Sequence, residues 1–312
     1  MTRTLAIGPY NDAEKQGLAT AFDPVFLDHP GAIAGLDAQH RDLVTTVAYK
    51  GHSAFGAAEM GHLPQLGLVA NYGVGYDSID VATATARGVK VTNTPDVLND
   101  DVADLAVAML IMQAREMERA SRWARSGKWA ERGEYRLTRK VSGGRVGIVG
   151  LGRIGRDIAE RLAAFKMEVH YWSRTEKDTP GWTYHPDPVA LAGRVDYLVV
   201  ALVGGPETEA FVSRDVIQAL GPHGILVNIS RGSTVEEAAL LEALETGRIA
   251  GAALDVFCNE PKIDPRFYAL DNVVIQPHTG SGTVETRAAM AKLQRDNIGA
   301  FLAGAPLMTP VN

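Results

Sequence analysis

The chain has 312 residues, 46% hydrophobic and 22% charged, which suits two ordinary globular domains and excludes a disordered segment. Its net charge of -6 is mild and no block of Lys and Arg stands out, which argues against nucleic acid or an anionic membrane as the main partner. A single cysteine, Cys258, excludes an internal disulfide and a cysteine-based zinc site.

Residues 1–10 read as a short strand and turn, without the charged and apolar pattern of a secretion signal. No apolar run approaches bilayer-spanning length. Cys258 reads as a small loop residue in preference to a nucleophile. The expected setting is therefore the reducing cytoplasm.

Short β-branched runs recur along the chain, each followed by a helical pattern. The candidate strands are residues 5–7, 44–49, 66–71, 89–92, 145–149, 168–172, 197–202, 225–229, 251–256 and 273–276. Several are apolar almost throughout, as parallel strands covered on both faces must be. The alternation predicts a doubly wound α/β architecture.

Two long helices look like crossings between domains. In the first, Val102, Leu105, Ala106, Met109 and Leu110 form one apolar stripe. The second starts after Gly280-Ser281-Gly282-Thr283, with Thr283 a plausible N-cap, and runs to about Leu302. The expectation is one domain of residues 1–98 and 284–312, interrupted by a cofactor domain over 99–283. A cleft between two domains is a favoured place for a small-molecule site. Residues 121–140 are basic and carry Trp123, Trp129 and Tyr135. They read equally as a subunit interface and as an arm packed on its own domain.

The segment from Arg145 contains Gly150-x-Gly152-x-x-Gly155, directly after a strand and opening a helix expected over 156–165. Such glycines permit a tight turn, let a pyrophosphate approach the backbone, and bring helix against strand. The flanking strand–helix–strand context makes this a dinucleotide site. At the end of the next strand an acid would bind the ribose 2′-hydroxyl. The chain instead has Ser173-Arg174-Thr175, with Arg153 in the glycine loop as a second cation. Hydroxyls and guanidinium groups suit a 2′-phosphate, so NADP(H) is expected in preference to NAD(H).

Three late strands each deliver a polar group at their carboxyl end, the edge where open α/β sheets bind ligands. They bring Arg231, the pair Asp255 and Glu260, and His278. A guanidinium can bind a carboxylate or polarise a keto oxygen. A histidine can give a proton to a developing alkoxide, and a carboxylate beside such a histidine favours its imidazolium form. No two-histidine spacing with an acid suggests a metal, and no Gly-x-Ser-x-Gly elbow is present.

With these residues in place, the sequence resembles the D-isomer-specific 2-hydroxyacid dehydrogenases, most closely their glyoxylate/hydroxypyruvate reductase branch. The resemblance covers nearly the whole chain. It rests on Asn71-Tyr-Gly-Val-Gly-Tyr-Asp-Ser-Ile-Asp80, the glycine loop, Asn228-Ile-Ser-Arg-Gly232, Ala253-Leu-Asp-Val-Phe-Cys-Asn-Glu-Pro261 and Gln276-Pro-His-Thr-Gly-Ser281.

It implies a Rossmann cofactor domain inserted in a flavodoxin-like substrate domain. It further implies Arg231 as substrate anchor, His278 as acid/base and Glu260 as its support. The backbone of Val74 and Gly75 would receive the substrate carboxylate. Gly150, Gly152, Arg153, Ile154, Gly155, Ser173, Arg174, Thr175, Val203, Ile229, Asp255 and Gly280 would bind the cofactor, Asp255 by holding the nicotinamide amide.

The expected activity is reduction of a small 2-keto acid to the D-2-hydroxy acid with NADPH, and the expected assembly a homodimer through the crossing helix and arm. Where the family commonly has Thr-Pro-Glu-Thr, this chain has Gly205-Pro206-Glu207-Thr208, one hydroxyl fewer near the cofactor. The segment Tyr49-Lys50-Gly51-His52-Ser53 carries over least, so the substrate side chain stays open.

Other readings are an aromatic 2-keto acid reductase of the hydroxyphenylpyruvate type and, from a different class, a dinucleotide-sensing corepressor-like binding protein. The latter would expect extended tails, and this chain keeps all three chemical residues. Formate oxidation would pair the histidine with glutamine, against Glu260.

Overall fold

The computed structural model describes residues 3–312. The chain divides into two compact units, one of the residues up to Leu98 together with Thr283–Asn312, the other Asn99–Gly282. The second change of unit falls one residue earlier than the sequence suggests. Thr283 belongs with the helix it caps, Val284–Leu302, where its hydroxyl accepts from the Thr286 N–H at 3.2 Å.

The first unit holds β1 (Thr4–Ile7), β2 (Val25–Leu27), β3 (Thr46–Tyr49), β4 (Leu68–Asn71) and β5 (Lys90–Thr92). They pair in parallel in the order β2-β1-β3-β4-β5, the strand order of flavodoxin-like sheets. Leu5, Ile7, Val47, Tyr49, Val69 and Val91 fill its core. The sequence reading misses β2, an edge strand of three residues, none fully buried, that is too short to show a period.

The second unit holds β6 (Arg145–Val149), β7 (Glu168–Trp172), β8 (Thr183–Tyr184), β9 (Tyr197–Val200), β10 (Ile225–Asn228), β11 (Gly251–Leu254) and β12 (Val273–Ile275). All neighbours are parallel, in the order β12-β11-β10-β9-β6-β7-β8. Counted from β6 this is the Rossmann order with one strand added, and its direction of winding reverses between β6 and β9. Ligands of such sheets bind at that reversal, which is where β6 hands over to Gly150.

The sequence reading extends β9 to β12 by one or two residues too many. Ile229 and Val256 are apolar and buried, yet the chain has already left the sheet there to form the loops of the site. Burial alone does not make a strand.

The first crossing helix, Asn99–Ala114, packs against the Arg153–Ala164 helix and against β10 and β11. Contact on more than one side explains why Ala103 and Val107 are buried beside the expected stripe, while Leu105 is only half-buried. Among the described residues no helix is long and apolar enough to cross a membrane.

Candidate active site

The glycine loop joins β6 to the Arg153–Ala164 helix, which begins three residues before its expected start because Arg153, Ile154 and Gly155 form its first turn. Gly150 has φ +103, and a Cβ there would stand 2.6 Å from the Ala201 carbonyl oxygen. A Cβ on Gly155 would collide with the Gly150 carbonyl. Both are demanded by the fold itself.

Gly152 is different. It has φ -82, which any residue adopts, and a Cβ there would meet nothing within 4 Å. The space lies beside a helix start that no side chain caps. Backbone N–H donors and the positive end of a twelve-residue helix therefore face a place where a side chain would fit, so the cradle suits a pyrophosphate.

Beyond β7, the Ser173 hydroxyl donates to the Thr175 carbonyl at 2.5 Å and is buried. This hydroxyl is spent on shaping its own turn, contrary to its expected use as a donor to phosphate. The Tyr171 hydroxyl exchanges hydrogen bonds with the main chain of Lys177, and Arg156 donates to the Asp178 carbonyl at 2.7 Å. These ties fix the turn that displays Arg174 and Thr175, both exposed. Val203, after β9, is 67% exposed. Its carbonyl accepts from the Thr208 hydroxyl at 2.6 Å.

Arg231 follows β10, where three short polar side chains pin its backbone. The Asn228 amide donates to the Arg231 carbonyl at 2.9 Å, as does the Thr234 hydroxyl at 2.7 Å. Asn228 Oδ1 in turn accepts from the Ser230 N–H and hydroxyl. Asn228, Ser230 and Thr234 are all buried, so the network is stiff as well as satisfied. At Gly232 a Cβ would collide with the main chain of Phe257 and Cys258. Glycine thus lets the Arg231 loop touch the loop that carries Glu260.

Glu260 Oε1 accepts from the Phe257 N–H at 2.7 Å, and its Oε2 meets His278 Nδ1 at 2.7 Å. With a carboxylate as acceptor, Nδ1 carries the hydrogen. His278 sits in the left-handed region at φ +54, which is costly for a residue with a Cβ.

Asp255 holds it there. The His278 N–H donates to the Asp255 carbonyl, while the Asp255 carboxylate accepts from the N–H groups of Thr279 (2.7 Å) and Gly280 (2.8 Å). Burial pushes this carboxyl up from its ordinary range against those backbone donors. Cys258 lies in the same loop, and burial with the nearby Glu237 carboxylate pushes its thiol up to about 11. The raised value favours the thiol over the reactive thiolate near neutral pH.

Ile229 and Gly280 are buried beside these groups. Val74 and Gly75 belong to the first unit, in the loop leaving β4. The carbonyls of that loop are taken up by Asn71, Asn93 and Thr94: Gly73 O by Asn71 and the Thr94 N–H, Val74 O by Asn93, Gly75 O by Asn71.

Sequence reasoning names the charged groups and misses what holds them: Asn228, Thr234, Asn71 and Asn93. The only signal for two of these is their place inside the motifs, at the head of Asn228-Ile-Ser-Arg-Gly232 and of Asn71-Tyr-Gly-Val-Gly75.

Residues 107–280 match the model of the D-isomer specific 2-hydroxyacid dehydrogenase NAD binding domain. A hydroxyphenylpyruvate reductase of Plectranthus scutellarioides is 48% identical over 80% of this chain and 79% of its own. A glyoxylate/hydroxypyruvate reductase A of Arabidopsis thaliana is 46% identical over 87% of each. The crystal structure of an NADPH-dependent glyoxylate/hydroxypyruvate reductase from Sinorhizobium meliloti, in complex with NADP and malonate, superposes with a TM-score of 0.94. It is 42% identical and covers 99% of this chain and 96% of its own. A nicotinamide-dinucleotide domain that carries the glycine cradle, and an arginine, a glutamate and a histidine on its late strands, thus agrees in sequence and fold with these enzymes: the chain belongs to the D-isomer specific 2-hydroxyacid dehydrogenase family.

Proposed function

We propose that the protein reduces a small 2-keto acid of the glyoxylate or hydroxypyruvate type to the D-2-hydroxy acid with NADPH. The observation that carries this reading is the 2.7 Å contact of His278 Nδ1 with Glu260 Oε2, on the carboxyl edge of the sheet that also forms the glycine cradle.

When bound, the dinucleotide supplies the hydride. Arg231 binds the substrate carboxylate and polarises the keto oxygen through its planar fork of donors. His278 gives that oxygen a proton from Nε2, and takes it back in the oxidative direction. Glu260 keeps Nδ1–H turned to itself, so that Nε2 is the nitrogen offered. Val74 and Gly75 receive the carboxylate by their main chain.

Gly150, Gly152, Arg153, Ile154 and Gly155 would hold the pyrophosphate. Arg174, with Thr175, would hold a 2′-phosphate, giving NADP(H) preference over NAD(H). Arg174 is exposed and makes neither a hydrogen bond nor an ion pair among the described residues, so it is available for that anion. The Sinorhizobium meliloti relative, described as NADPH-dependent, supports the preference. Ser173 serves by shaping the turn. Asp255, Ile229 and Gly280 would border the nicotinamide, and Val203 would contact the cofactor through its backbone.

A homodimer through the arm is part of this reading. Within the arm Trp123 and Tyr135 pack edge-on at 5.9 Å, yet Trp129 and Leu137 stay 66% and 97% exposed, an apolar surface that a second copy would cover. The lone Cys258 fits a cytoplasmic setting. The mild charge fits a small-molecule partner in place of nucleic acid or membrane.

The test is a panel of glyoxylate, hydroxypyruvate, pyruvate and phenylpyruvate with NADPH and with NADH, followed by absorbance. Turnover of the two small acids with NADPH supports the proposal. Preference for NADH in kcat/KM removes the cofactor assignment, and no turnover of any keto acid returns the binding-protein reading. Higher kcat/KM with phenylpyruvate favours the hydroxyphenylpyruvate type, for which the 48% identical relative speaks.

A further inference from the structure

The segment after β10 meets the turn after β11 at two points. The first is Gly232, where an added Cβ would stand 2.0 Å from the Phe257 carbonyl carbon and 2.3 Å from the Cys258 nitrogen. The second is Glu237, which opens the Glu237–Glu245 helix and whose Oε2 accepts from the Cys258 N–H at 2.8 Å. Bare backbone lets the two segments close, and a carboxylate further along holds them closed.

An acid in the first turn of a helix is commonly explained by the helix dipole. Glu237 does more, because its oxygen is spent on an N–H of a different loop, 21 residues away in the sequence. Its neighbour Glu236 serves another partner, the Arg214 N–H at 2.8 Å.

The turn held in this way is the one that supports the acid/base. Phe257 is buried and packs edge-on against Phe267 at 5.3 Å, which anchors the start of the turn. Its N–H donates to Glu260 Oε1 at 2.7 Å, so Glu260 is fixed relative to its own turn. That internal bond does not fix the turn relative to the segment of Arg231. The bond from Cys258 to Glu237 does. Both residues are half-buried, where an N–H that loses its acceptor is costly.

We propose that Glu237 is a positioning residue for the proton donor. By holding Cys258 it fastens the turn of residues 257–260 to the segment that carries Arg231, and so sets where Glu260 meets His278. This rests on the reductase reading and deepens it. His278 Nδ1 stands 2.7 Å from Glu260 Oε2, so a shift of that carboxylate turns or releases the imidazole. A misplacement of about 1 Å at a reacting group can cost on the order of 10²-fold in rate.

Glu237→Ala and Glu237→Gln together test the idea. Alanine removes the acceptor, whereas glutamine keeps the length and one acceptor oxygen for the Cys258 N–H. In Glu237→Ala kcat for the keto acid falls on the order of tenfold to hundredfold, while KM for NADPH holds. Glu237→Gln keeps most of the wild-type kcat. Should Glu237→Ala not fold, Glu237→Asp carries the test, because it keeps the charge and draws the oxygens back by one methylene: kcat falls there and holds in Glu237→Gln. Loss in every variant, with a raised KM for NADPH and a lower melting temperature, is what a merely structural role gives, and would overturn the proposal.

A second readout needs no turnover. Cys258 is the sole cysteine of the chain, so alkylation by iodoacetamide reports on this turn alone. Burial and then the Glu237 carboxylate hold its thiol up at about 11. In Glu237→Ala the alkylation rate at about pH 8 rises on the order of tenfold, and more than in Glu237→Gln, where the N–H bond remains. Faster alkylation in Glu237→Ala of a protein that reduces no keto acid keeps the clamp and removes the reductase reading. An unchanged kcat in Glu237→Ala removes the positioning role and keeps the reductase.

Discussion

The carboxyl edges of the two sheets are furnished in opposite ways. At the edge of the five-stranded sheet the loop after β4 has no charged side chain between Gly73 and Tyr76, and the amides of Asn71 and Asn93 hold its carbonyls. At the edge of the seven-stranded sheet the loops after β10, β11 and β12 offer side chains: a guanidinium, a carboxylate and an imidazole, braced by Asn228, Thr234 and Asp255. The contrast follows the work proposed for each edge. Peptide N–H groups can bind an anion but do not titrate near neutral pH and so cannot serve as a general acid or base, whereas histidine can. Binding can be delegated to main chain; proton transfer cannot.

The largest effect expected from this contrast is at the side-chain edge. His278→Ala removes the proton donor, and kcat for reduction should fall on the order of 10²- to 10⁴-fold, with NADPH affinity nearly intact by fluorescence titration. Retention of most of the activity across the pH range would mean that the two edges do not differ in the way described.

Arg174→Ala acts on cofactor choice alone. It should reduce the NADPH-over-NADH ratio of kcat/KM about tenfold, the size of one lost charge-assisted hydrogen bond at an exposed site, with NADH turnover unchanged. An unchanged ratio would assign the 2′-phosphate to other groups.

The smallest effect concerns stability at the main-chain edge. Glu14 is buried, which by itself raises its carboxyl pKa, but hydrogen bonds from Lys50, the Asn11 N–H and Tyr72 outweigh burial and hold it below the ordinary carboxylate value. A carboxyl depressed in the folded state contributes stability above its unfolded pKa of about 4.3 and loses it as pH falls through the folded value. Glu14→Gln should therefore lower Tm at neutral pH on the order of 5 °C. The gap to wild type should close in acid below about pH 4. A gap that persists there would show that the shape of the side chain matters and its charge does not.

How much of this the sequence reveals also divides along the two edges. Arg231, Glu260 and His278 are legible because charged groups at three successive strand ends are hard to explain as solvated surface. The main-chain edge is legible only through the glycines around Val74. Asn71 and Asn93 look like ordinary turn formers, since a short amide at a strand end is common for local reasons.

The same ambiguity hides Asn228 and Thr234 behind Arg231. At Ser173 the sequence reading expects a donor to phosphate, and the structure shows the hydroxyl bonded within its own turn. In the fold, the parallel strands are legible from apolar runs, while β2 and β8, with three and two residues, carry too little pattern to be seen.

The glycine loop separates two kinds of necessity. Gly150 and Gly155 are fixed by their neighbours in the chain, whereas Gly152 has room for a methyl group on the protein's side of the account. An alanine there should leave the melting curve nearly untouched and cripple dinucleotide binding. A library of variants sorted for foldedness would then pass position 152 freely, and the same library sorted for turnover would return glycine alone. Position 152 thus offers a way to count, in one population, the molecules that fold and the molecules that bind.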